Sequence, residues 1–396
     1  MLTRHLYRYD EVKASLLYSI VVGRSQEGIF WCMELLDSLC SEDILPICFR
    51  AWIISVGWSA FGYLDLFQEL LESEELDSIK LFEFVITLLR EKERDGSVYG
   101  LLFKGSTIDK QPDRVVPMKL SEEQELLSDQ EKCLIRAIYQ KKILLAWCLL
   151  QTMWKEENTW SLLQSLCKPH QKETFEKLQQ FPLFTDDLVW EKRALCLLCL
   201  CSEKKAFAKK ECKSLPNDLL EKYNEWTELE GRRGRRVFKI PTEAILWGTA
   251  RSLQANTQTN FQELYDPRHS LRGIPYWEEV AKSMGSWKHI HKVDEMKEAF
   301  YDLYFPDDIP DEWSYKDQEK SHGYGLLIGT NKANQHYKGM RVLLSNMPSL
   351  GLVSFTQDAM KKYCWDWETF HEAYEKGSKI SEWSYEPIKK KIVVKK

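Results

Sequence analysis

The stretch DEVKASLLYSIVV, residues 10–22, sets the pattern that decides the fold. Five of its apolar residues recur at i, i+4, i+5, i+8 and i+9, which places them on one face of an α-helix. The residues of this face are Val12, Leu16, Leu17, Ile20 and Val21. Gly23 follows and is expected to end the helix, because glycine readily adopts the left-handed conformation of a helix C-terminus.

The same pattern continues along the chain and predicts a mainly α-helical protein. A second helix is expected to begin near Ser25, whose hydroxyl can cap free N–H groups. Further helices are predicted at 44–54, 63–71, 76–89, 133–154, 159–167 and 190–201, and then at 242–253, 276–284, 293–303 and 355–374. Short connections favour antiparallel neighbours, so we expect stacked helical hairpins that resemble an α-solenoid.

Changes in composition divide the chain into four parts. We expect an N-terminal helical domain at 1–95, an irregular linker at 96–120, a middle helical domain at 121–230 and a Trp-rich, Gly- and Pro-containing, mainly helical region at 231–396. Residues 98–103 are the best candidate for a β-strand within the linker. Ser121 with Gln124 predicts a capping box where the helices resume.

Charge and cysteine content restrict the classes of function. The net charge of −5 argues against a surface that is positive overall, as nucleic acid or anionic membrane would require. The 11 cysteines are scattered, often within apolar helical runs, which is typical of a reducing compartment. The first residues lack the apolar core of a signal peptide, and no apolar run reaches the roughly 20 residues of a membrane span. We therefore expect a soluble intracellular protein.

No sequence motif of a known catalytic site is present. A Gly-x-Ser-x-Gly elbow, a His-Glu-x-x-His helix and a dinucleotide-binding fingerprint are all absent from the sequence. The prediction is a protein that is not an enzyme and has no cofactor. An active site assembled from residues distant in sequence would leave no such motif and remains an alternative.

Four cysteines form a weak candidate metal site. Cys196, Cys199 and Cys201, with Cys212 further on, could supply thiolates to zinc. However, the first three lie in a continuous apolar segment, whereas a zinc knuckle needs a turn between its paired cysteines. A buried helix is the favoured interpretation.

Three other polar clusters each allow an interpretation as a binding site and a simpler interpretation. His289 and His291 could share a metal in a strand but diverge in a helix, and surface histidines are the simpler interpretation. The glycines of 323–332 lack the spacing of a phosphate-binding loop. The carboxylates of 307–312 adjoin two prolines and are typical of a turn that leads into a helix rather than of an ion site.

The sharpest local charge feature is the segment GRRGRRVFK, residues 231–239. Its five cations are Arg232, Arg233, Arg235, Arg236 and Lys239. Arginine binds phosphate through two parallel hydrogen bonds, so this segment is the candidate nucleic-acid contact. A solvated linker that pairs with the preceding glutamates, and a contact with a protein partner, are the alternatives.

Two stretches resemble a family of uncharacterised helical proteins from nucleocytoplasmic large DNA viruses. The first is RYDEVKASL at 8–16, continued by EGIFW at 27–31 and by Glu34-Leu35. The second is FYDLYFPDDIPDEWS at 300–314, ending near KSHG at 320–323. The two stretches together bracket most of the chain. It implies a setting in the host cytoplasm, a virus factory or the virion, and it supplies no catalytic residues.

The leading expectation is therefore a non-enzymatic helical scaffold that binds protein partners and does not contact a membrane. The alternative is a nucleic-acid-associated accessory factor that uses the basic segment at 232–239, with Trp226 or Phe238 available for stacking on bases.

Overall fold

A computed structural model describes residues 1–73, 77–104, 115–154, 156–202, 209–214, 216–228 and 271–304, together with residues 238, 240, 241 and 244. These residues form a mainly helical protein, as predicted. Within them there is no β-strand, and one isolated antiparallel bridge joins Leu2 to Arg8.

The described residues group into two compact units, each built from segments that are separated in sequence. The first unit comprises Met1–Trp52, Leu64–Lys92 and the described residues of 210–304. The second comprises Ile53–Tyr63 and the described residues of 93–209. The sequence predicts four parts that follow one another along the chain. The two units instead each combine segments that are far apart in sequence.

Sixteen α-helices occur in the described residues. The first five are α1 (Tyr9–Val22), α2 (Ser25–Asp37), α3 (Ile44–Ser55), α4 (Tyr63–Leu71) and α5 (Ser78–Leu89). The next four are α6 (Ser97–Lys104), α7 (Glu122–Glu125), α8 (Asp129–Tyr139) and α9 (Ile143–Met153). They are followed by α10 (Glu156–Ser165), α11 (Lys172–Gln180), α12 (Val189–Cys201) and α13 (Asn217–Thr227). The last three are α14 (Pro275–Ser283), α15 (Trp287–Lys292) and α16 (Asp294–Tyr304).

Large aromatic side chains fill the core of the first unit. Phe67 lies between Phe49 and Phe84, with ring centroids 5.2 and 4.7 Å away in edge-to-face arrangements. Trp52 stacks on Phe49 at 5.5 Å. All four rings are fully buried, so their transfer from water is the main stabilising contribution here.

The N-terminal segment, residues 1–8, is a buried loop rather than a free end. Thr3 and His5 are fully buried, although both are polar. The carboxylate of Glu34 in α2 satisfies His5 twice, since one oxygen accepts the backbone N–H at 3.0 Å and the other lies 2.5 Å from ring Nδ1. Burial of these polar groups is tolerable because each has a partner.

The same segment connects α2 to the helices at 271–304. The indole N–H of Trp277 donates to the carbonyls of Leu2 and Thr3 at 3.0 and 3.1 Å. The guanidinium of Arg4 lies 5.3 Å from the ring centroid of Tyr276 and 3.5 Å from a carboxylate oxygen of Asp37. These contacts join parts of the first unit that are more than 200 residues apart in sequence.

Two local predictions are confirmed. Gly23 ends α1 in the left-handed conformation, with φ of 77°. Ser121 and Gln124 form the predicted capping box at the start of α7, in which the serine hydroxyl and the glutamine side chain each bond the other residue's backbone. Both signals depend on neighbouring residues alone, which explains why the sequence reveals them.

Two other local predictions are wrong. Residues 98–103 are helical and belong to α6, because a carboxylate oxygen of Asp95 accepts the N–H of Ser97 at 2.7 Å and the buried Val98 and Leu101 repeat at helical spacing. Ser25 is the first residue of α2 and not its cap, since Arg24 holds the capping position without a side-chain hydrogen bond.

The helical segment predicted at 133–154 is two helices, α8 and α9. Lys141 adopts the left-handed conformation with φ of 55°. The N–H of Lys142 then donates to the carbonyl of Ala137 at 2.8 Å, which is the hydrogen bond of a Schellman helix end. Lysine at this position gives no sequence signal comparable to that of glycine.

The contact of His5 with Glu34 gives a stability test. Glu34→Ala should lower the free energy of unfolding by about 3 kcal/mol, because it leaves a buried N–H and a buried imidazole without their partner. Glu34→Gln keeps one oxygen acceptor and should cost clearly less. Urea unfolding monitored by circular dichroism measures both changes. If the alanine variant is as stable as the glutamine variant, the carboxylate does not anchor this loop.

Candidate functional site

The three cysteines at 196, 199 and 201 lie on the buried helix α12, in the second unit. Their exposed fractions are 0, 1 and 5%. Burial raises the pKa of Cys199 and Cys201 to about 12 and holds the pKa of Cys196 well above its ordinary value. Because the thiolate is the form that binds metals and attacks electrophiles, these side chains act as small apolar groups at neutral pH.

Cys212, the fourth member of the candidate metal set, is exposed and belongs to the first unit. Burial of part of its side chain raises its pKa, and Glu83 and Glu69 contribute in the same direction. In the part of the chain that the structure describes, no three His, Cys, Asp or Glu side chains are arranged to hold a metal ion.

His289 and His291 lie in the short helix α15, so their side chains diverge. His289 is exposed, whereas His291 stacks on Trp287 with ring centroids 6.1 Å apart and planes inclined by 13°. The buried Trp287 and Ile290 occupy the inward face of this helix. The helical arrangement is the one in which the two imidazoles do not share a metal.

Several candidate segments lie outside the described residues. These are the basic residues Arg232, Arg233, Arg235, Arg236 and Lys239, the carboxylates at 307–312 and the glycine-containing segment 323–332. Most of the region 231–396, including the predicted helices at 242–253 and 355–374, is outside them as well.

The sequence interpretation missed a buried cation on α12. The guanidinium carbon of Arg193 lies 3.9 Å from the ring centroid of Trp154 and 4.4 Å from that of Trp190. A guanidinium stacked on aromatic faces is stabilised by the ring quadrupoles, and more strongly when water is excluded. Trp190 and Arg193 are one helical turn apart, which is the only trace of this contact in the sequence.

A second missed interaction closes the C-terminal end of α12. The side-chain amide nitrogen of Gln171 donates to the carbonyls of Cys199 and Ser202 at 2.8 and 3.1 Å. It also lies within hydrogen-bond distance of the Leu200 carbonyl, at 3.2 Å. The last carbonyls of a helix have no partner within the helix, so a buried amide here removes a desolvation cost. Gln171 and Arg193 therefore serve the packing of the second unit.

The candidate functional feature of the second unit is a set of exposed apolar side chains on α8 and on the segments next to it. Leu126, Val116 and Tyr139 have exposed fractions of 88, 64 and 43%. We call these three residues the Leu126 surface. Large apolar side chains in contact with water are uninformative when scattered, but a group of them is typical of an interaction site.

Hydrogen bonds join two of the segments that carry the Leu126 surface to the C-terminal end of α8. The side-chain amide of Gln140 accepts the N–H of Val116 at 2.9 Å and donates to its carbonyl at 2.6 Å. Gln124, two residues before Leu126, donates to the hydroxyl of Tyr139 at 3.3 Å. The extended segment at 115–120 and the short helix α7 thus each contact the C-terminal end of α8.

Ion pairs reinforce the position of α7 on α8. Glu125 lies 3.9 Å from the amino group of Lys132 and 3.9 Å from the guanidinium of Arg136. Two successive capping boxes, at Ser121 and Ser128, fix the turn in which Leu126 is exposed. The exposure of Leu126 is therefore built into the local geometry.

Comparison with known proteins gives no relative. No family model matches the chain, and no curated protein and no solved structure is significantly similar to it. Among the described helices none is both long and apolar enough to cross a bilayer.

The raised thiol pKa values predict how the cysteines react with iodoacetamide. In the folded chain, Cys199 and Cys201 should stay almost unmodified up to pH 10, because their folded pKa exceeds the ordinary thiol value of about 8.5. In urea their alkylation should increase through pH 8.5. Mass spectrometry of digested samples measures both rates. Equal rates with and without urea at pH 8 would contradict the burial of these thiols.

Proposed function

We propose that this chain is a non-enzymatic helical scaffold that binds protein partners through the Leu126 surface. The observation that supports the proposal is the exposure of Leu126, Val116 and Tyr139, since most of the other large apolar side chains that the structure describes are buried. Apolar area that stays in contact with water costs free energy, so a patch held open by hydrogen bonds favours a role in binding.

The chemistry of the described nucleophiles supports this assignment. The thiols of α12 are buried and protonated at neutral pH, and their helix is packed by Arg193 and Gln171. Their role is structural. The proposed activity is binding, and the polar residues around the Leu126 surface position it.

The proposal extends to architecture and setting. Successive helices joined by short connections favour stacked helical hairpins, with a Trp-rich helical region at the C-terminal end. The resemblance of 8–16 and 300–314 to the family from large DNA viruses favours a partner in the virus factory or the virion.

A second candidate is a nucleic-acid-associated accessory factor. Five cations within 232–239 favour it, since arginine and lysine neutralise phosphates. The two candidates differ in salt dependence, because phosphate contacts weaken steeply with ionic strength and apolar contacts do not.

A photo-crosslinking amino acid at position 126 tests the proposal in the cells that produce the chain. Ile79 provides the matched control, since it is also apolar and is 56% exposed on α5. Position 126 should yield a crosslinked protein that position 79 does not yield. Adding Val116→Ser and Tyr139→Ser to the position-126 variant should reduce the yield about ten-fold, because it removes apolar contact area.

Three outcomes would count against the scaffold assignment. Equal yields at positions 126 and 79 would show that the Leu126 surface has no special role. A crosslink to nucleic acid would favour the accessory factor. That candidate also gains if binding to nucleic acid disappears on substitution of Arg232, Arg233, Arg235 and Arg236.

A further inference from the structure

Residues 1–8 are bound to the rest of the first unit partly through their backbone. The indole N–H of Trp277, in α14, donates to the carbonyls of Leu2 and Thr3 at 3.0 and 3.1 Å. The ring of Trp277 is fully buried, so its nitrogen contacts these oxygens away from water. A side chain that binds main-chain oxygens recognises the path of the backbone and not the side chains at those positions.

The end of α2 binds the next two residues in the same way. Ser38 Oγ accepts the N–H of Arg4 at 2.9 Å, and a carboxylate oxygen of Glu34 accepts the N–H of His5 at 3.0 Å. We call Glu34, Ser38 and Trp277 the α2–α14 site. Four consecutive residues are thus bound through main-chain groups, which is how peptide-binding proteins obtain affinity for an irregular or extended segment.

Side chains of the bound segment add specificity. Leu2 is buried, with 4% of its surface exposed. The guanidinium of Arg4 donates to the carbonyl of Thr227 at 2.9 Å, and His5 Nδ1 lies 2.5 Å from the second carboxylate oxygen of Glu34. The α2–α14 site therefore fits an apolar residue that is followed, two and three positions later, by arginine and histidine.

The two sides of the α2–α14 site also contact each other directly. The backbone N–H of Tyr276, in α14, donates to the carbonyl of Ser38 at 3.4 Å. Trp277 packs on a second helix as well, since its ring centroid lies 5.2 Å from that of Tyr304 in α16. Part of the position of Trp277 is therefore fixed by contacts that do not involve residues 1–8.

The bound segment contains an unfavourable backbone conformation. Leu6 has a φ of 65°, in the left-handed region that residues other than glycine disfavour. Two hydrogen bonds close this turn, from Thr3 N–H to the Tyr7 carbonyl at 2.8 Å and from Leu6 N–H to the Thr3 carbonyl at 2.9 Å. A segment that binds the α2–α14 site without this turn avoids the conformational cost.

We propose that the α2–α14 site is a peptide-binding site that residues 1–8 occupy within the chain, and that it binds a segment of a protein partner with the same chemistry. That segment carries an apolar residue with arginine and histidine two and three positions later. Residues 1–8 act as an intramolecular competitor, because their attachment beside the site gives them a high effective concentration. The proposal is independent of the Leu126 surface.

A variant that loosens residues 1–8 tests the proposal in the full-length chain. Leu2→Ala with His5→Ala removes the apolar anchor and the ring contact of the segment, and leaves the α2–α14 site unchanged. Fluorescence anisotropy of a labelled peptide with the sequence MLTRHLYR, that of residues 1–8, measures binding. The peptide should bind this variant saturably and the unchanged chain at least ten-fold more weakly, because the attached segment competes there.

The matched control is Leu163→Ala with His170→Ala, which makes the same substitutions at a buried and an exposed position of the second unit. It lowers stability without loosening residues 1–8, so it should bind the peptide no better than the unchanged chain does. Adding Trp277→Phe to the loosened variant should weaken binding about five-fold, because it removes the N–H that binds two carbonyls. A peptide with Leu2→Ala and His5→Ala should bind at least ten-fold more weakly than MLTRHLYR.

Three results would overturn the inference. These are no saturable binding to the loosened variant, equal binding to that variant and to the second-unit control, and equal binding of the two peptides. Self-association of the unchanged chain in sedimentation, if the loosened variant loses it, would also overturn the inference, since the occupant would then be a second copy. Circular dichroism checks that the loosened variant keeps its helices, and Leu2→Ala alone takes its place in every comparison if it does not.

Discussion

Mutual burial of short helices is the constraint on which the rest of this structure depends. The longest described helix, α1, has 14 residues, and α7 has four. Isolated helices of fewer than about 12–15 residues are marginal in water, so tertiary packing must stabilise nearly all of them. The chain meets this requirement with tryptophan, phenylalanine and leucine in both units. It leaves few large apolar side chains for other purposes.

The same constraint assigns roles to the polar groups inside. Glu34 satisfies His5, and Gln171 satisfies the last carbonyls of α12. Each group removes a desolvation cost that the packing would otherwise impose. The buried cation Arg193 is stabilised in a similar way, because its guanidinium stacks on the rings of Trp154 and Trp190. These groups stabilise the helical units, and their burial gives no indication of catalysis.

Features that depend on residues close together in sequence can be predicted from the sequence, and features that depend on distant residues cannot. The helix over 10–22, its end at Gly23 and the capping box at Ser121 depend on residues within one or two turns, and the structure confirms all three. The one-sided apolar face predicted for this helix is wrong, because Glu11, Ser15 and Ser19 are buried as well. Glycines and prolines near residues 98–103 interrupt the helical pattern, so the sequence favours a strand there. Packing within the second unit and the contact from Asp95 make them helical instead.

The candidate surface itself was not predictable from sequence. Leu126 follows Glu125 and precedes Leu127 in a pattern that favours burial as much as exposure. Its exposure results from two consecutive capping boxes and from the contacts of Gln124 and Gln140, and the latter bonds a residue 24 positions earlier. The continuous apolar run that contains Cys196 predicts a buried helix, and α12 is that helix.

Hydrogen–deuterium exchange of the full-length chain, with and without the protein crosslinked at position 126, tests the central claim most directly. Exchange should slow over residues 116–140 on binding and stay unchanged over α5. Protection confined to α5, or none over 116–140, would contradict a binding role for the Leu126 surface.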